Sequence, residues 1–144
     1  MKSVSLLAVC GVLALSVGCA NRGVNLVESG AVSVVQGDSK RSGVTGVRVR
    51  QVGDETVVDG AVVRADGVRG LKGYVQVDVI DGRGVRVDSA DSRYAFRKTG
   101  SREARTALFS AHFNGPIPAG SVVVVQPKDS LEGYGENKGT LSLQ

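Results

Sequence analysis

A single histidine, His112, bounds the side-chain chemistry open to this chain. A Ser–His pair could form with Ser110, Ser121 or Ser101, and Asp88 or Asp91 could orient the ring. Nucleophilic catalysis of that kind needs serine, base and acid in hydrogen-bonded series, together with donors for the developing oxyanion. The chain carries no Gly-x-Ser-x-Gly turn to lift a serine out of a sheet, and the spacing selects none of its serines. Leu108, Ser110 and His112 alternate with Ala107, Phe109, Ala111 and Phe113. His112 therefore reads as an outward residue of a strand. No catalytic residue is assigned, and the chain is expected not to be an enzyme.

Metal and cofactor chemistry is equally thinly supplied. One histidine, two cysteines (Cys10 and Cys19) and one methionine offer few soft ligands. Asp78, Asp81, Asp88 and Asp91 crowd one stretch, but without the spacing of a calcium-binding loop. Asp88 and Asp91 stand three apart on an expected strand, so their carboxylates point to opposite faces. Gly82-Arg83-Gly84 precedes a strand, whereas a phosphate loop opens a helix. No metal and no cofactor are expected.

The remaining concentration of chemistry is basic. Arg93, Arg97, Lys98, Arg102 and Arg105 fall within thirteen residues, offset by Asp91 and Glu103. Guanidinium groups present planar forks suited to phosphate and carboxylate. Arg97, Lys98, Arg102 and Arg105 are therefore the candidate ligand-binding residues. The formal net charge is only +4. That favours solubility and a weak pull towards anionic surfaces, and it gives no reason to expect nucleic acid as a partner.

The amino terminus supplies an address. Lys2 precedes an apolar stretch from Val4 to Val17, and Leu15-Ser16-Val17-Gly18-Cys19 closes it. Fourteen residues rise about 21 Å as a helix, short of the ~30 Å of a hydrocarbon core. The stretch fits the apolar region of a signal peptide better than a membrane span. The whole resembles a bacterial lipoprotein signal peptide with its lipobox. The resemblance implies cleavage before Cys19, a diacylglycerol on the Cys19 thiol and an acylated new amino terminus. Each buried CH₂ of such chains adds about 0.8 kcal/mol to membrane attachment. Ala20, in place of an aspartate, implies sorting to the outer membrane, with the domain facing the periplasm. The membrane is then one partner, through Cys19. An envelope protein or an anionic glycan or lipid is the other: phospholipid head groups, lipopolysaccharide phosphates or peptidoglycan carboxylates.

Strands must position whatever site exists. Val47, Val49 and Val52 share a stretch with Arg48 and Arg50, and Val75, Val77 and Val79 alternate with Gln76 and Asp78. This period of two marks half-buried strands. Asp81-Gly82-Arg83-Gly84 predicts a tight hairpin turn. Asp59-Gly60, inside the expected strand Thr56 to Arg64, predicts a bulge or a close backbone approach. Ser121 to Gln126 reads as a buried valine strand, and Thr140 to Leu143 as a short last one. Arg97 to Arg105 reads as a basic connection. Arg48 and Arg50 could protect a sheet edge.

The expected organisation is a signal peptide over 1–18, a lipidated tether with one possible short strand over 19–44, and a domain over 45–144. That domain is all-β, an Ig-like antiparallel β-sandwich of about seven strands. The order of strands and turns from Gly46 to Pro127 is similar to that of Ig-like or fibronectin-III-like sandwiches on envelope lipoproteins. With no cysteine pair left after cleavage, its stability must come from a valine-rich core. The reading that follows is a lipid-anchored envelope protein acting as a structural or interaction module. Its alternative is a lipoprotein that binds an anionic envelope ligand through the basic loop.

Overall fold

Valine alternating with polar side chains lays down strands along much of the described part of the chain. The computed structural model describes residues 23–136. These hold ten strands and, among the described residues, no helix. The strands are β1 (Val24–Asn25), β2 (Ser33–Gln36), β3 (Ser42–Val52), β4 (Glu55–Arg64), β5 (Lys72–Ile80), β6 (Arg86–Ala95), β7 (Lys98–Thr99), β8 (Arg102–Glu103), β9 (Thr106–Phe113) and β10 (Val122–Lys128). One sheet has the order β1-β3-β4-β9 and the other β2-β10-β5-β6, while β7 and β8 form a small hairpin. Every pairing is antiparallel except β2 with β10. The fold is a β-sandwich.

The alternating pattern explains how the two sheets meet. Val49, Val58 and Val62 of the first sheet are fully buried, as are Val75, Val77, Val79, Val123 and Val125 of the second. Burying a valine or phenylalanine side chain stabilises by about 1.5–3 kcal/mol. Phe109 and Phe113 enter the same core from β9, and Tyr94 packs edge-on against Phe96 with 5.7 Å between ring centres. Serine, threonine and charged residues take the alternate positions, most regularly along β9.

Two features enlarge the sandwich beyond the seven strands expected. The stretch before Thr45 joins the sheets. β1 pairs with the end of β3, β2 lies parallel to β10, and Val32 is buried in the core. Its apolar runs are too short to declare themselves, and they become strands because the sheet edges offer them partners. The basic connection after β6 is itself a hairpin, β7–β8, turning at Gly100 with φ +61°. The expected strand at Thr140 to Leu143 lies outside the described residues, as do the apolar stretch and Cys19.

The expected turn after β5 is present, and Asp81 builds it. Its Oδ1 accepts the amides of Arg83 (2.9 Å) and Val85 (3.1 Å), and Arg83 Nη2 donates to Oδ2 (2.9 Å). The Val85 amide foremost, then the Arg83 side chain, hold the Asp81 carboxyl below the usual carboxylate range. Such a depressed group stabilises the fold above its unfolded pKa, and the contribution fades as pH falls through the folded value. Asp81→Ala should therefore lower the melting temperature at neutral pH. The gap to the native chain should close in acid, and a gap of constant size down to strong acid would contradict this account.

The tightest approach to a described glycine is at Gly73. A Cβ on Gly73 would lie 1.9 Å from the Lys128 carbonyl oxygen and 2.6 Å from the Tyr94 hydroxyl. That hydroxyl donates to the same carbonyl at 3.1 Å. Burial raises its pKa, which keeps it a donor. Gly73→Ala must push β5 away from β10 at this point. Equilibrium denaturation should show a loss of about 2 kcal/mol or more, in the range of overpacked cores.

Candidate ligand-binding sites

The basic segment singled out in the sequence forms one wall of a cleft of about 580 Å³. Lys98 and Arg102 line it from the hairpin, and Arg69, from the loop between β4 and β5, joins them. None of these three cations makes an ion pair among the described residues, and all three side chains are exposed. The other two candidates stand differently. Arg97 is exposed on the approach to the hairpin and does not line the cleft, and Arg105 pairs with Asp66.

The frame of the cleft is set by Arg64 at the end of β4. Its Nε donates to the Ala104 carbonyl and its Nη2 to that of Glu103, each at 3.0 Å, and its Nη1 donates to the Val68 carbonyl. One guanidinium thus ties the 65–71 loop to the hairpin. Glu103 completes the tie by accepting the Gly70 amide on Oε2 at 3.0 Å. Nothing in the pattern around Arg64 announced this role, because two of its three partners are carbonyls thirty-nine and forty residues away.

A second cleft, of about 510 Å³, lies where β9, the edge of the first sheet, meets β6. It opens at a bulge. Thr45 faces Ala61 and Arg48 faces Asp59, so Gly46 and Val47 together oppose Gly60. Gly46 takes φ +63° there. The bulge or close approach expected at Asp59-Gly60 is thus present: the extra residue belongs to β3, and the Phe109 ring lies over Gly60, where a Cβ would meet it at 2.9 Å. Arg48 and Arg50, expected to guard an edge, are instead held by Asp59. Arg48 Nε donates to Oδ1 at 3.0 Å, while Arg50 donates to Oδ2 through Nε at 3.0 Å and Nη2 at 2.6 Å.

Beside that cleft, the outward residues of β9 form a chain of hydrogen bonds. Ser110 Oγ lies 3.1 Å from His112 Nε2, and His112 Nδ1 lies 2.6 Å from Glu55 Oε1. Ser110 was one of three serines the sequence offered as a partner for His112, and its spacing did not single it out. The acid was not offered, since Glu55 reaches the ring from the first residue of β4, and Asp88 and Asp91 do not supply it. The order serine, imidazole, carboxylate is that of a nucleophilic triad. The environment differs from one. The Ser110 amide, a natural oxyanion donor, is spent on Ser92 Oγ at 3.1 Å, and the imidazole and carboxylate stand about half exposed. An oxyanion site works by fixed donors in a water-excluded pocket. The three residues therefore act as a surface clasp between β9 and β4, and no reaction step is placed on them.

Among the described residues, no group of three or more His, Cys, Asp or Glu could hold a metal ion. No described helix is long and apolar enough to cross a membrane. No family model matches the chain, and no curated protein or solved structure matches it. The fold and the two clefts define a β-sandwich with cationic surface sites.

Replacing Arg64 with lysine keeps the charge but leaves one nitrogen to serve three carbonyls. Arg64→Lys should leave the sheets intact while the amides of residues 98–104 exchange at least about tenfold faster, since one or two hydrogen bonds of about 1 kcal/mol each are lost. Unchanged exchange in Arg64→Lys would show that the hairpin is held by something else.

Proposed function

We propose that this chain is a lipid-anchored binding module of the bacterial cell envelope, tethered through Cys19 at the outer membrane and facing the periplasm. Its hairpin end recognises the phosphate or carboxylate groups of an envelope lipid or glycan. It acts by binding and not by catalysis. The observation that carries the reading is the grouping of Arg69, Lys98 and Arg102, none of them in an ion pair among the described residues, around a cleft framed by Arg64 whose one lining acid, Glu103, accepts the Gly70 amide. Two of the three were candidates from sequence. A surface lysine or arginine is usually solvated. Three unpaired ones around a braced concavity favour a multiply charged ligand, because each keeps its donors available.

Two experiments test the two halves. Intact mass of the membrane-extracted protein should show a chain beginning at Cys19 with diacylglycerol and one further acyl group, and a Cys19→Ala control should lack both. An unmodified thiol would remove the anchor from the proposal. Binding is measured on residues 20–144, which contain every described strand. Vesicles of phosphatidylglycerol in phosphatidylcholine, purified lipopolysaccharide and peptidoglycan serve as probes, with phosphatidylcholine alone as control. At least one anionic probe should bind, more weakly as salt is raised. A basic residue near an anionic surface contributes about 1 kcal/mol, so the triple variant Arg69→Glu, Lys98→Glu, Arg102→Glu should lose on the order of 100-fold or more. Equal binding by the triple variant would refute the hairpin as the recognition site.

A further inference from the structure

We infer that the cleft between β9 and β6 is a second binding site, for a small amphiphilic anion with a carboxylate head and an apolar tail. Three guanidinium groups, of Arg48, Arg50 and Arg93, line it against one carboxylate, Asp59. Asp59 occupies Arg50 through two nitrogens but Arg48 only through Nε. The terminal nitrogens of Arg48 remain available, on a side chain 64% exposed. Arg93 comes from the other sheet and forms no ion pair among the described residues. A carboxylate between Arg48 and Arg93 would complete the alternation of charge that Asp59 begins.

The apolar half of the argument is Leu108. It lines the same cleft and is 81% exposed, the most exposed large hydrophobic side chain among the described residues. It takes no part in the core. Ala61, directly across the ladder from it, continues the apolar surface, with Phe109 beneath. A tail lying along Leu108 and Ala61 would remove this surface from water, at about 25 cal/mol for each Å² covered. The volume of about 510 Å³ falls within the range of small-molecule sites. The hairpin cleft has no such apolar wall, which separates the ligand classes of the two sites.

The probe is dodecanoate, kept below its micelle concentration and titrated calorimetrically into residues 20–144. That piece keeps every core residue found among the described ones. Acetate and dodecanol are the controls for tail and head. Dodecanoate should bind one to one, at least tenfold more tightly than either control. Arg93→Ala and Leu108→Ser replace exposed side chains and should fold normally, and each should weaken dodecanoate at least about fivefold. The hairpin triple variant should bind dodecanoate as the native chain does, which separates this site from the proposed function. The inference is overturned by no binding of dodecanoate, by equal binding of acetate or dodecanol, by unaltered affinity in Arg93→Ala and Leu108→Ser, or by loss of binding in the hairpin variant.

Discussion

Each sheet is completed by a strand from the end of the chain, and everything else depends on that crossing. The hairpin β3–β4 gains its third long strand from β9, and the hairpin β5–β6 is joined by β10. β9 and β10 are consecutive, yet they serve opposite sheets. Neither hairpin can bury its inner valines until residues 106–128 have arrived, since an isolated hairpin is marginal in water. With no helix among the described residues, the hairpins apart, the ordering must come from pairings between distant segments. Topologies of that kind fold slowly. The loop between β9 and β10, with Pro116 and Pro118, makes the crossing. It is pinned by the buried Thr56, whose hydroxyl donates to the Gly115 carbonyl at 2.7 Å, and by Ile117 in the core.

β4 lies inside the first sheet, paired on both sides, and this makes it the member around which surface chemistry organises. Three charged residues project from it, and each gathers partners from other elements. Glu55 reaches His112 on β9. Asp59 holds Arg48 and Arg50 on β3. Arg64 binds the carbonyls of the loop and the hairpin beyond. Glu55 and Asp59 share the outer face because strand residues four apart do so. Between them Val57 stands in register with Arg50 on one side and His112 on the other, and is 6% exposed. A central strand is rigid, so groups fixed to it can position others. The long cations on β3 are oriented from β4, whereas those of the hairpin tip are left to their own rotamers.

How much of this was legible follows from the range of each signal. The strands β3, β5 and β9 were readable because apolar and polar residues alternate along them, and β10 because four valines run together. The Asp81 turn was readable because an aspartate side chain captures amides two and four residues on. β1 was read only as a possible short strand and β2 not as a strand, since two to four residues carry no period, and only a free sheet edge makes strands of them. The hairpin β7–β8 was hidden by its charge: exposed on both faces, it shows no alternation of apolar residues. Of the sites, the basic segment was visible locally, whereas the spacing singled out no serine for His112. Glu55 and Arg64 were not visible, because Glu55 meets His112 57 residues on and Arg64 the carbonyls of Glu103 and Ala104 39 and 40 residues on, and Arg69 comes from a different loop than the basic segment it joins. Only the pairing of β4 with β9 and the docking of the hairpin supply those distances.

The mild net charge conceals a sorted distribution. Arginines over the sheets and at the turns are neutralised: Arg48 and Arg50 by Asp59, Arg83 by Asp81, Arg86 by Asp78, Arg105 by Asp66. Exposed pairs of this type contribute little stability, on the order of 0–1 kcal/mol. Their larger effect is on the field, because each cancels a charge that would otherwise attract anions over the whole surface. Arg69, Lys98 and Arg102 escape that cancellation around one cleft, and Arg93 escapes it in the other. Near physiological salt the Debye length is about 8 Å, so clusters of this size act locally and the net charge of the chain matters less than their placement. A uniformly basic sandwich would bind any anionic surface weakly. This one sets Arg69, Lys98 and Arg102 around a polar cleft and Arg93 in a cleft backed by Leu108, and under the proposed reading that difference in lining would separate two kinds of anion.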